Sequence, residues 1–102
     1  MSDDRRRHVR KPGPFDAHRV GLLDVPIRIY DLSESGCFIN ALHDPPATGL
    51  PLVLTIDLPR EGQITVHAKI VNARPEYGYA VEFVGLSGDD RARLLRALEG
   101  RR

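Results

Sequence analysis

Two groups of side chains in this chain carry usable chemistry. The first is Arg5-Arg6-Arg7-His8-Val9-Arg10, an arginine cluster in which Arg6 and Arg10 hold an R-x-x-x-R spacing. The second is Asp31-Leu32-Ser33-Glu34-Ser35-Gly36, a D-x-S-x-x-G turn between two apolar runs. Guanidinium groups are planar forks of donors that match phosphate oxygens and the O6/N7 edge of guanine. Asp31 offers acceptor oxygens, and Ser33 offers a hydroxyl that both donates and accepts. Two residues apart in extended chain, these side chains are expected on one face. Gly36 is expected to supply the positive φ of a tight return into the next strand. A carboxylate for guanine N–H groups, faced by arginines for phosphates, points to an anionic guanine nucleotide. The same residue types also build purely structural turns and solvated tails, so neither motif is specific alone.

The surrounding elements must hold these groups in place. Residues 1–14 are polar and end in Lys11-Pro12-Gly13-Pro14. They predict a flexible basic arm with a stiff elbow, ordered by ligand. Strands are expected over 15–23 and 25–32, the second with Ile27 and Ile29 on one face and Arg28 and Tyr30 on the other. The turn then leads into a short third strand at Cys37-Phe38-Ile39-Asn40. A loop spans 43–49. Residues 51–58 alternate with Leu52, Leu54, Ile56 and Leu58 on one face. Residues 63–73 alternate with Ile64, Val66, Ala68 and Ile70 inward and Thr65, His67 and Lys69 outward. Pro59-Arg60-Glu61-Gly62 reads as the hairpin between them, and Tyr77 to Val84 as the last strand. Ser87 with Asp90 resembles a capping box that opens a helix carrying Leu94, Leu95 and Leu98 as its apolar stripe and ending at Gly100. The sum is a small antiparallel barrel, closed so that no strand edge is exposed, with the helix over its open end.

Composition narrows the class. A chain of 102 residues, 41% hydrophobic and 28% charged, makes one domain with an aliphatic core, since it has six aromatic residues and no Trp. Net charge is +1, but residues 1–11 hold five basic side chains (Arg5, Arg6, Arg7, Arg10, Lys11) against Asp3 and Asp4. A focused basic arm suits a small anion better than a long polymer. A single-stranded nucleic-acid reader needs aromatic platforms, and most of the aromatics alternate with core positions, which disfavours that reading. The lone Cys37 excludes an internal disulfide and reads as a small, partly buried hydrophobe. His8, His18, His43 and His67 are scattered without metal-ligand spacing, and no nucleophile elbow or nucleotide-binding glycine loop is present. The expectation is therefore no enzyme, no metal and no cofactor. No apolar run reaches membrane-span length, and the charged start has no signal-peptide core, which together predict a cytoplasmic location.

With R-x-x-x-R, about twenty intervening residues, then D-x-S-x-x-G and a β-barrel, the chain resembles the PilZ domain family from Arg5 to about Leu98. The resemblance implies a six-stranded barrel with a C-terminal helix over residues 15–99 and a mobile arm over 1–14. It implies a bacterial receptor for cyclic di-GMP that signals to an unidentified partner protein through its arm. In the family, the arginines matching Arg6 and Arg10 contact phosphates and guanine bases, and the residues matching Asp31, Ser33 and Gly36 form the facing wall. The residue at Arg5 bears on whether one ligand or a stacked pair is bound, and an arginine there resembles the members that take the pair. One departure is Ala80-Val81-Glu82-Phe83 where the family often reads Gly-Val-x-Phe, which puts local backbone geometry in question. A PilZ-like adaptor that binds a protein and no nucleotide is the other reading, disfavoured by the intact ligand motif.

Overall fold

A computed structural model of the chain describes residues 10–22, 24–40, 48–74 and 77–99. Six strands form the scaffold: β1 (Phe15–Val20), β2 (Val25–Tyr30), β3 (Gly36–Asn40), β4 (Pro51–Leu58), β5 (Gly62–Arg74) and β6 (Gly78–Gly85). They close into an antiparallel barrel in the order β1-β2-β3-β6-β5-β4, followed by one helix, α1 (Gly88–Glu99). The expected mainly β class, barrel and C-terminal helix are all present. β1 and β2 stop at Val20 and Tyr30, earlier than the sequence reading placed them, and the last strand runs one residue later at each end. The expected helix end at Gly100 lies outside the described residues, as do residues 43–47 of the expected loop and residues 75–76 before the last strand.

Period-two patterning sets the core. Leu54, Ile56 and Leu58 of β4 and Ile64, Val66, Ala68 and Ile70 of β5 are all buried, joined by Ile29, Ile39 and Tyr79. Each fully buried Leu or Ile contributes about 1.5–3 kcal/mol relative to exposure. The alternation in β5 breaks after Ile70. Ile70 pairs with Val81 and Asn72 with Ala80, so Val71 is an extra residue opposite nothing. This bulge shifts the phase, leaving Val71 and Asn72 both exposed and sending Ala73 against the core instead.

The helix is fastened to β5 differently from the expected capping box. Ser87 Oγ does accept the Asp90 N–H at 3.0 Å. Asp90 does not reciprocate as a capping-box residue; its carboxylate accepts the Thr65 backbone N–H at 3.1 Å, tying the first helical turn to the sheet. An aspartate is one methylene shorter than the glutamate of that motif, and its oxygen goes to the strand donor instead. At the other end, Arg96 Nε donates to Glu61 at 3.0 Å. Leu94 and Leu98 join the core, while Leu95 stays 36% exposed, so the apolar stripe is narrower than the sequence implied.

Candidate functional site

The chain is brought to the site by a backbone bridge. Lys11 N–H donates to the Leu32 carbonyl and Leu32 N–H to the Lys11 carbonyl, both at 2.8 Å, and Asp31 N–H reaches Pro12 O at 3.3 Å. Gly13 makes this crossing geometrically possible. It has φ 82°, and a Cβ there would stand 2.7 Å from the Ile29 carbonyl oxygen and 3.3 Å from the Tyr30 Cα. The elbow thus lies across the end of β2, and Arg10 is set next to the D-x-S-x-x-G turn. Arg5 and Arg6 fall outside the described residues.

The turn itself differs from the extended geometry anticipated. Asp31 takes φ 56°, a left-handed conformation that aspartate tolerates better than most residues. The chain therefore turns at Asp31, which is exposed, while Ser33 is only 1% exposed. They do not share one extended face, yet both line the same cleft. Ser33 is the knot of the turn. Its Oγ donates to the Gly36 carbonyl and accepts the Ser35 N–H, each at 3.2 Å, and lies 3.2 Å from Ser35 Oγ. Its N–H donates to the same Gly36 carbonyl at 2.9 Å. The hydroxyl proton is thereby used inside the turn.

Gly36 does not take the positive φ expected of it. Glycine is required there by close approach instead: a Cβ would overlap the Val81 carbonyl oxygen and stand 3.2 Å from the carbonyl carbon. Gly36 pairs with Glu82 and Cys37 with Val81, so the turn feeds straight into the β3–β6 ladder. Phe83 N–H adds a bond to Ser35 O at 2.8 Å.

Arg10, Asp31, Ser33 and Gly36 line one surface cleft of about 440 Å³, in the size range of small-molecule sites. Phe38, Val71, Ala80 and Glu82 also line it. None of these four was named as a site residue from the sequence, although Ala80 and Glu82 stand in the stretch that departs from the family pattern. Glu82 and Ala80 were findable in principle, because they occupy the outward phase of β6; Val71 depends on a bulge that no local pattern announces. Glu82 is an acid facing a site expected to take an anion, and its carboxylate sits 3.9 Å from Lys69. Among the described residues the lining carries Arg10 against Asp31 and Glu82, so binding an anion here calls on further cations.

The aromatics divide evenly. Phe15 and Phe83 pack against the core and Tyr79 lies in it, whereas Tyr30 and Phe38 are half-buried outward and Tyr77 is exposed. The sequence reading had most of them alternating with core positions, as Tyr30 and Phe38 do beside the buried Ile29 and Ile39. Cys37 also borders the cleft but is buried, and burial pushes its thiol from 9.0 up to about 12. It is a neutral packing group, not a nucleophile. Among the described residues no cluster of three or more His, Cys, Asp or Glu is placed to hold a metal ion, and no helix is long and apolar enough to cross a membrane.

A family model for the PilZ domain matches residues 4–100, and the chain belongs to that family. Among solved structures, it is similar to the Bacillus subtilis inhibitor of motility MotI/DgrA, with a TM-score of 0.81 and 22% identity over 93% of this chain. It spans only 50% of that protein's length. The PilZ domain of YcgR from Escherichia coli, solved with c-di-GMP, is similar with a TM-score of 0.70 and 17% identity, covering 94% of this chain and 90% of that one. No curated protein matches the chain.

Proposed function

We propose that this chain is a cytoplasmic cyclic di-GMP receptor. The observation that carries this reading is the Lys11–Leu32 bridge, which fixes Arg10 beside Asp31 and Ser33 at one cleft. Membership in the PilZ family and the cyclic di-GMP held by the YcgR domain support the choice of ligand. Arg10 and Arg6 clamp phosphate and guanine edges, Asp31 accepts guanine N–H groups, and Arg5 serves the second ligand of a stacked pair. Ser33 and Gly36 act by holding the wall: one ties the turn, and the other lets β3 close on β6.

Each bidentate arginine–guanine contact is worth about 1–3 kcal/mol by analogy with DNA readout. Ordering backbone costs about 1–2 kcal/mol per residue fixed. Several arginines must therefore act together. Lys11 and Pro12 are already bonded to the barrel, so the part of the arm that ligand repositions, and that a partner protein reads, is the part before Lys11. The domain is a receptor and not an enzyme.

Calorimetric titration of the chain with cyclic di-GMP, beside Arg6→Ala and Asp31→Ala, tests this. Micromolar or tighter binding by wild type and its loss in both variants is expected, with two ligands per chain if the pair forms. A folded wild type that binds nothing overturns the receptor reading. It would favour the adaptor, for which the exposed Val20, Leu22 and Val25 around the β1–β2 hairpin offer an apolar contact surface.

A further inference from the structure

The outer face of the barrel beside the cleft carries a row of directly opposed residues across four strands. Tyr30 of β2 pairs with Phe38 of β3, Phe38 with Ala80 of β6, and Ala80 with Asn72 of β5. Opposed residues in an antiparallel ladder share a face, their Cβ atoms about 4.5–5.5 Å apart. Phe38 is thus flanked by an aromatic ring on one side and a methyl group on the other.

Three features set Phe38 apart from an ordinary packing residue. It lines the cleft. It is half-buried yet stands outside the hydrophobic core cluster that takes up Phe15 and Phe83. Its neighbour Ala80 is too small to cover the ring, while Val71, pushed out by the bulge and 44% exposed, borders the same space. A flat aromatic surface left open next to an arginine and a carboxylate suits a heteroaromatic base, which stacks on the ring while its polar edge meets the charged groups.

We infer that Phe38 is the stacking floor of the nucleotide site, with Tyr30 propping its ring and Val71 as the side wall, so that a guanine base lies on Phe38 with its edge toward Asp31. This rests on the nucleotide-receptor reading above and adds to it a specificity residue that the charged motif does not contain. Phosphate contacts hold the anion, and the floor selects for an aromatic base over a bare phosphate ester.

The test is a set of substitutions titrated with cyclic di-GMP: Phe38→Ala, Phe38→Leu and Phe38→Trp. Because the chain has no Trp, Phe38→Trp installs a single tryptophan at the proposed floor, read apart from the three tyrosines by excitation at the red edge of the indole band. Phe38→Ala is expected to weaken binding roughly tenfold or more, the effect of removing one stacking partner. Phe38→Leu, which retains apolar bulk and folding, is expected to fall between Ala and wild type. Phe38→Trp is expected to bind at least as tightly as wild type, with its emission quenched on saturation. Wild-type affinity in both Phe38→Ala and Phe38→Leu, or unquenched emission from Phe38→Trp at saturation, overturns the floor while leaving the receptor intact. Absence of binding by the wild type overturns the receptor and the floor together.

Discussion

Replacing Gly36 by alanine separates a close-approach requirement from a turn requirement. Gly36 lacks a positive φ, so alanine meets no dihedral penalty there. The whole penalty comes from the new Cβ overlapping the Val81 carbonyl oxygen, which is backbone and cannot rotate away. Relief requires opening the Gly36–Glu82 register and, with it, the carbonyl that accepts both the Ser33 N–H and hydroxyl. Overpacking of this kind costs about 1–3 kcal/mol, and weakening the turn bonds adds about 1 kcal/mol. For a domain of this size a loss of about 2–4 kcal/mol lowers Tm by roughly 10–20 °C. Gly88→Ala is the control. It sits at the start of α1 with nothing within 4 Å of its Cβ position, so alanine should raise Tm by up to a few degrees, from a gain of at most about 1 kcal/mol. Thermal melts by circular dichroism read both. A Gly36→Ala melt within about 2 °C of wild type would refute the close-approach account.

Ser33→Ala removes a buried hydroxyl that serves the Gly36 carbonyl and the Ser35 N–H, and should lower stability by about 1–2 kcal/mol in urea titration. Asp90→Ala frees the Thr65 N–H and loosens the first turn of α1, which amide exchange at Thr65 should report as lost protection. Glu82→Gln removes a carboxylate from the cleft wall and should tighten cyclic di-GMP binding a few-fold at low salt, about 0.2–1 kcal/mol, with the gain shrinking as salt rises. The Cys37 thiol has a raised folded pKa of about 12 against 9.0, so above pH 9 the unfolded chain releases a proton that the folded chain keeps. Its contribution is fully present below pH 9 and is lost as pH rises toward 12; Cys37→Ala should flatten that alkaline slope in denaturant titrations.

The scaffold was legible because β4 and β5 alternate cleanly: one inward row from Ile64 to Ile70 fixes a face, and the hairpin at Pro59–Gly62 fixes their pairing. The helix was legible from Ser87 and the leucines. What stayed hidden is non-local. The overlap that demands Gly36 is with Val81, forty-five positions on. The bulge at Val71 is decided by which residue of β6 it fails to oppose. The Asp90 carboxylate accepts a strand N–H rather than closing a capping box on Ser87. At the site, Arg10, Asp31, Ser33 and Gly36 were nameable from motif spacing, and the structure gathers all four at one cleft. Their division of labour was not readable, because it depends on Asp31 turning left-handed and so separating an exposed carboxylate from a buried hydroxyl.

The most direct test of the central claim is to map backbone amide shifts of the ¹⁵N-labelled chain during titration with cyclic di-GMP. The site described here predicts shifts concentrated at Arg10, Asp31, Ser35, Phe38, Val71 and Ala80. Shifts centred instead on the separate cleft between the elbow, Pro59–Glu61 and Arg96, or no shifts at saturating ligand, would contradict it.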